Sequence, residues 1–299
     1  MKNMCILFLV LLSVSAVGVK VFGQEESPIL DGSYFGQEAP GIIPKVFAPG
    51  IVSIDGRDEG SVAFSPDLGE VYFEVNNANS ETHIYFSRLK GKKWTPVEKA
   101  DFTDGKIDEE IHPFVSLDGK RIYFTAISSD LSYNKIWYVN RFNNSWGKAV
   151  ELESPVNDDQ VFYPNQSANG DLYYFNLSKS RTYYSSNNQN IFSQVEPVDI
   201  EFGVHAFISA SKDYLVLNAR NKEDEGRNDN DIYVSFFRKD GTWTTPINLG
   251  GDVNSSSNDK TPSISPDGKY LFFARDEKDG KANIYWVSTQ VIENLRPQL

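Results

Sequence analysis

Two of the chain's three histidines, His112 and His205, stand at the same offset, four residues ahead of a recurring serine. Five such serines occur, Ser65, Ser116, Ser167, Ser209 and Ser265, and the residues at that offset are Ser61, His112, Tyr163, His205 and Thr261. All five are polar. Two imidazoles and a phenol converging on one place can ligate a metal, accept hydrogen bonds from a ligand, or act as base and acid of a lyase. They can equally be the wet polar lining of a channel mouth, which needs no ligand to explain it.

Acids recur just outside these positions, as Glu59, Glu109, Glu110, Asp159, Glu201 and Asp259. A collar of carboxylates would attract a cation or a basic partner, and mutual repulsion would raise some of their pKa values. Acids in solvated loops are also ordinary. A glycosidase would need two carboxylates facing one another, for which Glu109 and Glu201 are the candidates. The segment "RNKEDEGRNDND" supplies Asp224, Glu225, Asp229 and Asp231, hard oxygen donors of the type calcium prefers, although their spacing is not that of a calcium-binding hand. No G-x-S-x-G, H-E-x-x-H or phosphate-cradling glycine loop is present. Repeated Trp94, Trp146 and Trp243 read as packing between repeats, whereas Tyr133, Tyr183 and Tyr184 sit better for stacking on a sugar.

The elements that must position these residues are strands. "SISPDGKYLFF" reads as strand, two-residue turn at Asp267-Gly268, and strand. Weaker copies appear as "VAFSPDLGEVYF", "PFVSLDGKRIYF", "PNQSANGDLYYF" and "AFISASKDYLVL". Each is followed by a polar loop, a third aromatic strand such as "HIYFSRL" or "NIYWVST", and a short fourth strand expected to open at Trp94, Trp146, Phe192 or Trp243. Four short antiparallel strands per repeat, with little helical periodicity, predict an all-β β-propeller of five blades. A sixth blade hidden in 218–260 is the alternative. The fifth copy stops before its fourth strand, and the segment from Ile43 precedes the first hairpin as Trp243 precedes the last. The N-terminal strand is therefore expected to complete the last blade and close the ring.

Composition narrows the partners. Lys and Arg number 29 against 41 Asp and Glu, a formal charge of −12 that disfavours nucleic acid. Lys2, the apolar run Cys5–Val14 and the small residues after it have the order of a secretory signal peptide over residues 1–23, cleaved after Gly18 or Gly23. Residues 24–42 would then be a lead-in and 43–299 a single propeller domain. Cys5 is the only cysteine, so the exported chain would hold no disulfide and no thiol nucleophile. No further apolar stretch is long enough to span a membrane.

At "SISPDGKYLFF", "NDIYVSFFRKDGTWTTPINLG" and "NIYWVSTQVIENLRP" the chain resembles the WD-repeat-like propellers of exported bacterial proteins, with TolB-like repeats, over about residues 40–297. That resemblance implies a periplasmic or extracellular location and a binding platform, with no shared catalytic motif to transfer. The sequence thus predicts an exported binding module for a glycan or an envelope protein. The ligand would lie on an acidic face around His112, Tyr163, His205, Glu109, Glu110, Asp159 and Glu201. A glycosidase or lyase at the same channel mouth is the alternative. No cofactor is required, and calcium at Asp224, Asp229 and Asp231 is the one metal considered.

Overall fold

The computed structural model describes residues 32–76, 81–142, 145–221 and 226–298. The signal-peptide segment and Asp224 lie outside these residues. Five sheets of antiparallel strands follow one another along the chain. Their inner strands are Asp58–Phe64, Glu109–Val115, Val161–Gln166, Val204–Ile208 and Asp259–Ile264. Each packs against the inner strand of the next blade, and the fifth packs against the first. This is a five-bladed propeller. Among its described residues, segment 218–260 holds the rest of blade 4 and the start of the blade 5 inner strand, with no additional blade.

The ring closes through the N-terminus. Lys45–Val46 pairs antiparallel with Ala282–Ser288, placing Lys45 opposite Trp286, so the last blade borrows its outer strand from the start of the chain. The lead-in does more than connect. Ser33–Gly36 forms a short turn that buries Tyr34 and Phe35, and Phe35 stacks on Trp94 at 4.3 Å. Tyr34 reaches Asp267 with its hydroxyl at 2.9 Å.

Two sequence expectations need correction. The hairpin connection is longer than Asp267-Gly268: its strands end at Ile264 and resume at Tyr270, and Ser265 N–H donates to the Tyr270 carbonyl at 2.9 Å. The recurring serine explains the extra length. Ser265 Oγ donates to Asp267 at 2.7 Å and accepts from Tyr270 N–H at 3.0 Å. Ser65 and Ser116 do the same with Asp67 and Asp118. "SANG" and "SASKD" keep the turn by substitution, with Asn169 and Asp213 as acceptors, and Gly170 and Lys212 taking the left-handed residue at φ 84° and 61°. The aromatic-led segments are the second correction. Lys93–Trp94 and Ser145–Trp146 fold back on their own third strands, and the outer strands proper are Glu98–Lys99 and Val150–Glu151. Phe192 and Trp243 likewise precede the outer strands Glu196–Pro197 and Ile247–Asn248. A large ring gains more free energy from packing against the neighbouring blade than from a place on an exposed edge.

Every inner strand carries a bulge at the same level. Two residues there oppose one on the partner strand, which bends the strand and re-aims a side chain. The bulge residues His112, Tyr163, His205 and Thr261 have φ of 53°, 62°, 50° and 50°, a left-handed conformation that non-glycine residues seldom adopt. Pro113, Pro164 and Pro262 follow three of them, at a point where the ladder needs no N–H.

Candidate functional site

The bulges turn His112, Tyr163 and His205 onto the axis. His112 and His205 ring centroids are 5.4 Å apart, and Tyr163 lies 5.0 Å from His112 and 4.9 Å from His205. Phe162 completes the cluster, 5.5 Å from His112 and 5.2 Å from His205. The equivalence read from sequence thus becomes contact. These residues close the axis rather than line an open channel. His112 and Tyr163 are buried, and the Tyr163 hydroxyl donates to the Pro262 carbonyl at 2.7 Å. Burial pushes both imidazoles down to about 3, with His112 beside it contributing for His205, so both are neutral at physiological pH.

Second-strand side chains lock the bulges in place across blade boundaries. Glu74 of blade 1 accepts from His112 N–H, and Thr125 of blade 2 accepts from Tyr163 N–H at 3.2 Å. Asn218 of blade 4 accepts from Thr261 N–H at 3.2 Å, and its Oδ1 lies 2.9 Å from His205 Nδ1. Orphaned bulge amides are thereby satisfied, which is how the left-handed residues persist.

The acids divide. Glu110 is buried and accepts from Phe102 N–H at 3.0 Å and Thr103 N–H at 2.7 Å, so it fastens the incoming loop and is not part of an exposed collar. Asp259, at the equivalent place in blade 5, is buried too and holds Ser255 N–H at 2.7 Å and Arg275 at 2.6 Å. Asp159 is half-exposed and bound to Lys179 at 2.7 Å, which lowers its pKa. Glu201 is exposed in the loop entering blade 4. Glu109 is half-buried, and burial raises its pKa against the lowering effect of a hydrogen bond from Thr82. Asp229 and Asp231, two of the carboxylates considered for calcium, both bind Arg227, the latter at 2.8 Å. Among the described residues no three His, Cys, Asp or Glu side chains are grouped to hold a metal.

Glu59 behaves differently from its equivalents. It is buried, and its Oε1 accepts from Arg57 at 2.5 Å and from Ile54 N–H at 3.4 Å. Among the described residues its Oε2 is buried without a partner. Burial raises its pKa to about 7, with Arg57 opposing. Glu59 lines a cleft of about 150 Å³ with Asp58, Gly60, Glu74, Asn76, Thr82, Lys260 and Thr261. A cleft of that size has room for water or a small polar ligand. Glu74 is buried, accepts from the Ser61 hydroxyl as well as His112 N–H, and has its pKa raised by burial. Gly60 permits this geometry, because a Cβ there would lie 2.2 Å from Glu74 Oε2. The cleft opens beside the histidine cluster, and sequence reasoning named neither Glu74 nor Lys260. Glu74 is hidden in the apolar-looking run "EVYFEVN", where one carboxylate inside a strand was the available signal.

At the opposite, hairpin end of the axis a cavity of about 260 Å³ is lined by Ala63, Phe114, Phe207, Ile264 and the serine turns at Ser209 and Ser265. It is larger but mostly apolar, and its turn serines are satisfied by the bonds described above.

No family model matches the chain, and no curated protein matches it. Solved structures do. The putative TolB from Agrobacterium tumefaciens is similar at 16% identity and TM-score 0.49, over 75% of this chain and 72% of that one. TolB from Acinetobacter baumannii is similar at 15% identity and TM-score 0.46, and this chain spans 54% of its length while 77% of this chain is covered. The catalytic domain of the Coprinopsis cinerea GH62 α-L-arabinofuranosidase is similar at 10% identity and TM-score 0.50, over 83% of this chain and 97% of that one. At such identities the likeness shows the β-propeller fold, and function rests on the site.

Proposed function

We propose that this chain is an exported binding module that takes a hydroxyl-rich ligand, an envelope glycan, at the loop end of its axis. The observation that carries this reading is the Glu59 cleft. It offers a carboxylate oxygen without a donor among the described residues, a second buried carboxylate, the amide of Asn76, the remaining donors of the Lys260 ammonium, which also binds Asp276 at 2.6 Å, and two threonine hydroxyls around one small space. Sugar hydroxyls donate to the carboxylates and accept from the lysine, and an unpartnered buried acceptor gains most from being met. His112 and His205 support the cleft through Glu74 and Asn218, and in this reading they are floor rather than ligands. The chain's acidity agrees with a neutral or basic sugar better than with a uronate.

A glycosidase or lyase is the second reading, and one observation favours it. Glu59 and Glu74 are two buried carboxyls with raised pKa values on one cleft, the arrangement a general acid requires. The test is a thermal-shift titration of the full chain with neutral, amino and uronic oligosaccharides and with divalent cations, followed by product analysis. A ligand at 100 times its Kd adds about 2.7 kcal/mol. A shift in wild type that is lost in Glu59→Gln supports the module, and cleaved product moves the reading to an enzyme. A shift from a sugar that is unchanged in Glu59→Gln removes the cleft as the site.

A further inference from the structure

The blade boundaries at the outer side of the propeller are closed in a repeated way, and one of them is not closed. Between blades 1 and 2, Arg88 lies over Phe86 at 4.6 Å and over Trp146 at 4.9 Å, with Glu70 accepting from its Nε at 2.9 Å. Between blades 2 and 3, Arg121 lies over Tyr138 at 4.3 Å. Between blades 4 and 5, Arg296 lies over Phe236 at 4.8 Å and binds Asp213 at 2.9 Å. Between blades 5 and 1, the Tyr34–Phe35 turn fills the space against Trp94.

Blades 3 and 4 carry the same frame without the filler. Tyr173 and Tyr184 pair and stack as Tyr72 and Phe86 do, with centroids 5.5 and 5.9 Å apart. Glu196 opposes Tyr184 as Glu98 opposes Phe86, and Trp243 stands for Trp146. The register that puts Arg88 opposite Glu70 puts exposed Ser186 one residue beyond the Leu172–Ser185 pair, at the level of Asp171. Trp243 packs on Phe237 of its own blade at 4.9 Å, whereas Trp146 crosses to Phe86. What remains is a groove of about 360 Å³ lined by Tyr173, Tyr184, Glu196, Asp199, Phe237 and Trp243. Lys212 also borders it but is bound to Asp171 at 2.5 Å.

We propose that this groove receives an arginine side chain from a partner protein, seated between Tyr184 and Trp243 as Arg88 is seated between Phe86 and Trp146. Three arginines of the chain already close equivalent boundaries, so the frame's preference is on display within the molecule. The aromatic faces suit a planar, weakly hydrated cation, and Glu196 at the rim supplies the counter-charge. Every arginine of the chain lies among the described residues. Within those residues none lies over Tyr184 or Trp243, and the nearby Arg238 donates to Thr242 Oγ1 at 3.2 Å and to the Trp243 carbonyl at 2.7 Å. The guanidinium must therefore come from outside. A net charge of −12 favours a basic partner at long range as well. This inference does not rest on the glycan cleft, which lies on another part of the molecule.

The test uses the full chain labelled with 5-fluorotryptophan, its Trp243 resonance assigned with Trp243→Phe, and titrated with acetyl-Gly-Arg-Gly-amide. The Trp243 resonance is expected to shift, with at least fivefold weaker binding by the lysine tripeptide. Ser186→Arg should close the groove from within, abolish the shift and raise Tm by about 2–4 °C. Should that variant fail to fold, Tyr184→Leu is expected to weaken arginine binding at least fivefold. Equal binding of the lysine peptide, or a resonance unmoved by either, overturns the proposal. A response to methyl β-glucoside in place of the peptide also overturns it and makes the groove a sugar platform.

Discussion

The two ends of the propeller axis use one set of strands for opposite purposes. At the hairpin end each recurring serine is met locally: Ser116 holds Asp118 at 2.7 Å and Arg121 N–H at 2.9 Å within a single turn. At the loop end bulge amides are met across blade boundaries, as when Glu74 holds His112 N–H, and a buried oxygen of Glu59, like those of Asn134, Thr182 and Asn283, is met by nothing among the described residues. Local closure makes a turn that repeats with little variation. Closure between blades makes each position different, and difference is what recognition requires.

Several substitutions separate the two ends. The largest effect belongs to the apolar end. Phe114→Ala, at a buried ring lining the hairpin-end cavity, should cost about 3–4 kcal/mol in urea melts and leave ligand affinity unchanged. Gly60→Ala should cost about 2 kcal/mol, since the added methyl drives Glu74 from its two partners, and should abolish ligand binding. An affinity left intact in that variant would break the distinction between the ends.

The pH dependence sharpens it further. His112 has its pKa depressed to about 3 from an unfolded 6.5, so its contribution to stability is present above pH 6.5 and is lost as pH falls from there toward 3. Glu59, raised from 4.5 to about 7, works the other way: its contribution is full below 4.5 and lost as pH rises through 7. Between pH 6.5 and 5.5 the two oppose. Glu59→Gln should therefore steepen the acid loss by about 1 kcal/mol per pH unit, and His112→Asn, which keeps a residue tolerant of positive φ, should flatten it. Chemical melts at the two pH values check both slopes. The smallest effect belongs to the turns. Ser116→Ala should cost about 1 kcal/mol with no change in affinity or in either slope.

Much of this architecture was legible in the sequence because it repeats. Serine-led turns set the blade count, and the missing fourth strand after Ala282–Ser288 called for the N-terminal one. Equal offsets also placed His112, Tyr163 and His205 on one level. Repetition misled where chemistry at one offset differs. Glu59, Glu110 and Asp259 look alike in the chain, yet Glu110 and Asp259 are engaged at both oxygens by loop amides and an arginine, and of the three Glu59 alone keeps an oxygen unpartnered among the described residues. The outer strands were misplaced because Trp94 and Trp146 look like strand residues, whereas the rings serve the neighbouring boundary. The bulges left a trace in Pro113, Pro164 and Pro262, since proline inside a ladder marks a break in it.

The most direct test of recognition at the loop end is hydrogen exchange with and without a saturating oligosaccharide from the thermal-shift panel. The account predicts slowed exchange at Gly60, Ser61 and Thr261, with the amides of Ser209–Asp213 and Ser265–Gly268 unchanged. Slowing confined to those hairpin turns would contradict it and place the ligand in the apolar cavity at the other end.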